Sequence, residues 1–197
     1  PMNPAPLAVC PIHSQRYQLE LPRLEQARLL MAWVGPGSES LGTTYGLDLL
    51  ATVLTGGRLS RLVHSLRETL GWVMDVDCHY ALLQNAGLFT LSAWLDPEAL
   101  EPVENHIRQA IIQLAQEPIS PDELARVQRL MTNSYTFALE TPSQLASLYG
   151  YYDHLGHLDQ AVAYPQSIAG LEADFLQQVA ATYLNPDHSL VTTVIPV

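Results

Sequence analysis

The sequence has 197 residues, 48% of them hydrophobic, with a formal net charge of −11. That length is enough for one well-filled domain, and no apolar run approaches the roughly 20 residues that span a bilayer. The nine basic residues are all arginines scattered among 20 carboxylates, which excludes a nucleic-acid partner and disfavours an anionic membrane surface, so we expect neither as a partner.

The start of the chain is rich in proline and lacks the basic head and long apolar core of a signal peptide. We therefore expect residues 1–15 to be a linker from a preceding domain of a longer protein, and residues 16–197 to be a single domain. Cys10 and Cys78 are too few and too far apart to predict a disulfide framework or a structural zinc site. The sequence fits the cytoplasm and an exported compartment, with the cytoplasm slightly favoured.

Two strands followed by two helices are predicted in the first third of the chain. Alternating polar and apolar side chains indicate the first strand, and a denser apolar run indicates a central second strand. Apolar side chains then recur at helical spacing until the Gly56-Gly57 pair, which ends the first helix. The predicted ranges are residues 16–22, 26–34, 45–54 and 59–69.

A hairpin, several helices and a closing strand are predicted in the remainder. Asp96 suits the N-cap of one helix, and Ser120 with Glu123 has the spacing of a capping box at the start of the next. The predicted strands are residues 72–83, 88–95 and 189–197, and the predicted helices are residues 96–116, a long helix after 120, 142–151 and 171–183. Strand pairs separated by helices indicate an α+β fold, with one mainly antiparallel sheet and helices packed on one face.

Motifs for metal binding and nucleophilic catalysis do not occur in the sequence. A hydrolytic zinc site needs H-E-x-x-H or the inverted H-x-x-E-H on a helix. His154 and His157 are three residues apart, but a glycine between them breaks the helix that would align their rings. His64 and Glu68 have the spacing of a surface pair, and Cys78 has no adjacent general base. We therefore expect no catalytic residue, no metal ligand and no cofactor in this chain.

The segment 54–76 combines two glycine turns with an arginine-bearing helix. From the residues alone, it is a helix with Arg58, Arg61 and Arg67 on its solvated face and leucines on its buried face. The segment also resembles the C-terminal domain signature of the pitrilysin/insulinase/mitochondrial-processing-peptidase family. The matching positions are Leu54, Gly56, Gly57, Ser60, Arg61, Leu62, Leu66, Arg67, Glu68, Gly71 and Val76. Shorter matches follow in the family's order over about residues 16–197.

The resemblance implies a domain without zinc that works beside a domain with zinc. In this family, two homologous α+β domains make each half of a closed chamber, and one N-terminal domain holds the metal. We therefore expect the zinc in a partner domain, either in cis or on a partner subunit in trans. The expected substrate is a peptide, and a homodimer is a further assembly that the resemblance allows.

Arg67 is the candidate substrate-binding residue. In active members of the family, an arginine and a tyrosine seven residues later hold the substrate backbone from a zinc-less domain. Arg67 matches the arginine, but Met74 stands at the tyrosine position, and a thioether cannot donate the hydrogen bond of a phenol. Trp72 and Tyr80 are the nearby side chains that could replace it.

Three functions remain open at this point. The leading expectation is a non-catalytic domain of a zinc metallopeptidase, forming part of the peptide-binding chamber and the assembly interface. The alternative is a purely structural subunit derived from the same family, without a peptidase role. A third is a stand-alone enzyme that uses His154 and His157 with a metal ion.

Overall fold

The computed structural model describes residues 14–197, in which five strands form one sheet. The strands are β1 (Gln15–Leu21), β2 (Ala27–Gly35), β3 (Val73–Leu82), β4 (Gly87–Leu95) and β5 (Leu190–Pro196). Their order across the sheet is β1-β5-β2-β4-β3, and only the β1–β5 pair is parallel. The predicted hairpin and closing strand are confirmed. Residues 1–13 of the predicted linker, including Cys10, lie outside the described residues.

Six α-helices and a π-helix accompany the sheet in this part of the chain. They are α1 (Leu41–Thr55), the π-helix (Val63–Thr69), α2 (Leu100–Gln116), α3 (Pro121–Phe137), α4 (Pro142–His154), α5 (Gln160–Ala169) and α6 (Ala173–Tyr183). The predicted class is confirmed: a mainly antiparallel sheet with the helices on one face. None of the helices in residues 14–197 is both long and apolar enough to cross a membrane.

Helix α5 was not among the predicted helices, and Pro165 lies inside it. Proline has no N–H, so the carbonyl of Ala161 loses its usual partner four residues later in the helix. The hydroxyl of Tyr135 on α3 donates to that carbonyl instead. A tertiary hydrogen bond therefore allows a helix that the sequence pattern argues against.

The two faces of the sheet have different surroundings. Side chains such as Leu29 and Trp33 of β2 and Phe89 of β4 point towards the helices and are almost fully buried. The alternate residues point to the other face, which no helix of the described chain covers. Its exposed large apolar side chains are Tyr17, Leu19, Leu21, Leu30 and Trp94.

Candidate functional site

The family-like segment leaves α1 through one glycine turn and enters β3 through another. Gly57 has φ +86° and Gly71 has φ +62°, both in the left-handed region where glycine is the least strained residue. A Cβ on Gly56 would lie 2.5 Å from the carbonyl oxygen of Thr52. The three glycines are therefore required by the path of the backbone.

Ser60 and Arg61 hold this segment against the rest of the fold. The buried Ser60 hydroxyl donates to the Gly57 carbonyl at 2.6 Å. Arg61 makes two hydrogen bonds to the Glu123 carboxylate on α3, at 3.1 and 2.7 Å. The capping box predicted at α3 is thus only half formed, because the Glu123 N–H bonds Ser120 while its carboxylate pairs with Arg61.

The helix of the segment is a π-helix rather than the α-helix expected from the pattern. The N–H of Leu70 donates to the carbonyl of Ser65, five residues earlier, at 3.0 Å. Leu62 and Leu66 point into the core, and the Ser65 hydroxyl is 2.8 Å from a ring nitrogen of His106 on α2. π-Helical turns are rare and often mark functional sites.

Arg67 lies at the surface near the end of the π-helix. Its Nε and Nη2 donate to one oxygen of Glu68, at 3.2 and 3.1 Å, and its Nη1 is 3.6 Å from Asp75 at the start of β3. Hydrogen bonds from Arg58 and then Arg67 hold the pKa of Glu68 below its ordinary value. Arg67 is therefore held by two internal carboxylates, although its guanidinium remains partly exposed.

Met74 directly precedes Asp75, the second carboxylate near Arg67, and lies at a β-bulge. Val73 pairs with Leu95 and Asp75 with Trp94, so Met74 has no partner on β4. Its side chain is 54% exposed and carries no hydrogen-bond donor. Bulges of this kind redirect side chains and are common beside active sites.

The position of Tyr80 rules it out as a substitute for the missing phenol. Tyr80 is six residues further along β3, which is about 20 Å away at the usual strand rise. Its hydroxyl donates to the Pro36 carbonyl, and its ring packs over Gly35 and Gly87. Trp72 is partly exposed and precedes β3 directly, so it stays a candidate donor through its indole N–H.

The remaining candidates from the sequence are not brought together. Within residues 14–197, no three His, Cys, Asp or Glu side chains converge on a point that could hold a metal ion. The residues described here therefore do not fit a zinc ion. His154 ends α4, and His157 follows the left-handed Gly156. Burial raises the pKa of the Cys78 thiol, with Asp77 and Asp48 adding to the effect, which opposes a role as a nucleophile.

Sequence reasoning missed a carboxylate among tyrosines. Asp48 on α1 lines a cavity of about 470 Å³ together with Tyr135, Tyr151, Tyr152 and Tyr164. Burial raises the pKa of Asp48 to about 6, against a hydrogen bond from Tyr164 that lowers it. These residues come from four helices far apart in sequence, so no local motif could have revealed them. The one available signal was a charged residue on a helix whose other side chains are mostly apolar.

Comparisons with known proteins agree with the resemblance. A family model described as the peptidase M16 inactive domain matches residues 3–131. An uncharacterized zinc protease of Rickettsia felis is 27% identical over 117 residues, which is 59% of this chain and 28% of that protein. The chain thus spans under a third of the length of that relative.

Solved structures share the fold at low identity. A protease from Helicobacter pylori superposes with a TM-score of 0.87 at 20% identity, over 94% of this chain and 45% of that one. A chain of complex III2 from Candida albicans superposes with a TM-score of 0.78 at 14% identity, over 92% of this chain and 45% of that one. Because the family model covers more than half of the sequence, the chain belongs to the peptidase M16 inactive-domain family, whose relatives include zinc proteases.

Proposed function

We propose that this chain is a non-catalytic domain of a zinc metallopeptidase, forming part of the peptide-binding chamber and of the assembly interface. The zinc belongs to a partner domain, in cis or on a partner subunit in trans. In this proposal residues 16–197 act as one domain behind a linker at residues 1–15.

The observation that carries the proposal is the uncovered face of the sheet. Large apolar side chains on one contiguous surface usually indicate a binding surface in a folded protein. Leu19 of β1, Leu30 of β2 and Trp94 of β4 are exposed on that face. Arg28 lies over the Trp94 ring at 4.4 Å, which adds a cation to the surface. A peptide chamber between two domains needs such a wall.

Arg67 supplies the polar contact at the β3 end of this surface. A guanidinium can donate two parallel hydrogen bonds to a peptide carbonyl or carboxylate, a geometry that lysine does not reproduce. Its bond to Asp75 is long, and Asp75 is 60% exposed, so a substrate oxygen could replace that carboxylate. Glu68 would then stay in place as the residue that orients the guanidinium.

The test is kinetic and uses the complete peptidase with a peptide substrate. We expect Arg67→Ala to lower kcat/KM roughly 10- to 1000-fold, because the lost hydrogen bonds act on the substrate carbonyl. The melting temperature should hardly change. Arg129→Ala is the control, since it removes an exposed arginine on α3 that does not contact Glu68. Its kcat/KM should equal that of the unmodified enzyme.

The alternative is a purely structural subunit without a peptidase role. Two features favour it: Met74 replaces the expected phenol, and Arg67 already has carboxylate partners. If Arg67→Ala leaves turnover unchanged but lowers the melting temperature, Arg67 is structural and the substrate-contact proposal fails. Met74→Tyr provides a second readout: a gain in rate indicates a degenerate substrate site, and no change supports the scaffold.

A further inference from the structure

The cavity beside Asp48 is a separate feature from the open sheet face. It measures about 470 Å³, within the range of small-molecule sites, and lies among α1, α3, α4 and α5. A smaller cavity of about 100 Å³ shares Asp48, Tyr151, Tyr152 and Tyr164. Asp48 therefore lines both cavities, and Arg67 lines neither.

The carboxylate in this wall has no ion-pair partner. Within residues 14–197, its single hydrogen-bond donor is the Tyr164 hydroxyl, at 3.2 Å, and no basic side chain there forms an ion pair with it. His79 acts on it only at longer range, where its charge lowers the pKa of Asp48 less than burial raises it. A carboxylate that is shielded from much of its hydration is costly unless a cation or several donors compensate it. The site therefore has an unmet preference for positive charge.

The surrounding tyrosine rings also favour a bound cation, and their hydroxyls carry no charge of their own. Tyr164 stacks on Tyr135 with ring centroids 4.8 Å apart and meets Tyr45 edge-on at 5.2 Å. Burial raises the pKa of both Tyr152 and Tyr164, so these phenols stay neutral. Neutral aromatic rings attract cations through their faces.

Part of the cavity wall is aliphatic. Leu130 and Met131 of α3 and Leu148 of α4 line the cavity together with Asp48 and the tyrosines. This combination of one anionic group, aromatic rings and aliphatic side chains matches a cation carried on a hydrocarbon stem. The chain has no lysine, so no ammonium side chain of its own sequence can occupy the cavity.

We propose that this cavity binds an alkylammonium group, with Asp48 as its counter-ion and the leucine and methionine side chains along its stem. Such a group has two sources, the lysine side chain of a peptide or a free amine. The proposal does not depend on the chamber role of the domain.

The first test is calorimetric titration of the chain with n-butylammonium and with 1-pentanol, a neutral analogue of similar shape. We expect saturable binding of the amine and at least tenfold weaker binding of the alcohol, because only the amine can pair with the carboxylate. Equal binding of both, or no saturable binding of the amine, would overturn the proposal.

Single substitutions test whether the amine binds beside Asp48. Asp48→Asn keeps the shape of the side chain and removes its charge, so it should weaken amine binding at least tenfold. Asp153→Asn is the matched control, because it removes the same charge from an exposed position on α4 and should leave affinity within twofold. Tyr151→Leu should weaken binding about three- to fivefold through the lost aromatic face. Equal affinities of the Asp48 and Asp153 variants would contradict the assignment, provided that both melt cooperatively.

A lysine analogue separates the two sources. Nα-acetyl-lysine methylamide carries the same butylammonium group on a peptide backbone. Binding at least as tight as that of butylammonium identifies a peptide side chain as the occupant, whereas binding of butylammonium alone identifies a free amine. In either case, each ligand that binds the unmodified chain should bind Asp48→Asn at least tenfold more weakly, and undiminished binding of such a ligand would overturn the role of Asp48.

Discussion

Two inward-facing carboxylates of this domain have opposite surroundings. Glu104 on α2 accepts hydrogen bonds from Arg16 of β1 and from Arg108 one turn along its own helix, at 2.9 and 3.0 Å. Asp48 on α1 accepts a hydrogen bond from one phenol and, in the described part of the chain, forms no ion pair. The first carboxylate joins an edge strand to a helix, while the second lines a cavity.

Their pKa values show the difference. Burial by itself would raise the pKa of Glu104, but the hydrogen bonds and charges of Arg16 and Arg108 outweigh it and hold that pKa below its ordinary value. Burial dominates at Asp48, whose pKa is raised to about 6. The comparison indicates that Glu104 is a structural group, whereas Asp48 has a free-energy cost that a bound cation would relieve.

The largest effect is expected at the paired carboxylate. Glu104→Gln removes the charge that holds Arg16 and Arg108. We expect a loss of about 2–3 kcal/mol in unfolding free energy, just below the usual range for a broken buried pair, because Arg16 is 56% exposed. The melting temperature should fall by about 4–12 °C. Glu101→Gln, exposed on the same helix, is the control and should have almost no effect.

The pH dependence of that loss can be derived from the sign of the shift. The folded pKa of Glu104 is lowered, so its contribution to stability is present above the ordinary carboxyl pKa of 4.5 and disappears as pH falls through the folded value. The difference in unfolding free energy between Glu104→Gln and the unmodified chain should therefore disappear in strong acid. A gap that stays constant down to pH 3 or so would show that the lost contacts are not ionic.

Neutralising the unpaired carboxylate, Asp48, should change the stability in the opposite direction to Glu104→Gln. The folded pKa of Asp48 is about 6 against an ordinary value of 3.8, so the folded state binds a proton that the unfolded state has lost. Its burial cost is thus fully present above pH 6 and absent below about pH 4. Asp48→Asn should stabilise the chain at pH 8 by on the order of 1–2 kcal/mol, less than the full shift implies because the Asp48 residue is only partly buried.

Thermal melts of Asp48→Asn at pH 8 and pH 4 check this expectation. The stabilisation should be seen at pH 8 and vanish at pH 4, with Asp153→Asn showing neither effect. Destabilisation at pH 8 would mean that the carboxylate has a partner that the neutral amide cannot satisfy. It would then resemble Glu104, and the comparison would fail.

The sequence predicted local features of this fold well and long-range ones poorly. The β3–β4 hairpin was recoverable because a turn of Asn85-Ala86-Gly87 separates two strand-like runs. The parallel pairing of β1 with β5 was not, because it joins opposite ends of the described chain. Register across such a distance is fixed by packing rather than by neighbouring residues.

The candidate sites also differ in whether their residues are close together in the sequence. The segment around Arg67 is contiguous, so its resemblance to a known signature could be seen directly. Glu104 and Arg16 are 88 residues apart, and Tyr164 lies 116 residues from Asp48. Contacts of this kind depend on which helix faces are brought together. The contact of Asp48 depends also on helix α5, which carries Tyr164 and forms although Pro165 lies inside it.

The smallest expected effect concerns the single donor to Asp48. Tyr164→Phe keeps the ring and its stacking on Tyr135 but removes the hydroxyl that stabilises the charged carboxylate. The pKa of Asp48 should therefore rise further, and the chain should lose about 1 kcal/mol or less at pH 8, the usual size of one hydrogen bond. Carbon-detected NMR of the Asp48 carboxyl during a pH titration measures the first quantity, and thermal melts measure the second. Tyr149→Phe, on the exposed side of α4, is the control and should leave the midpoint unchanged. An unchanged or lowered Asp48 midpoint in Tyr164→Phe would show that another group compensates the charge, and the carboxylate would then have no unmet preference for a cation.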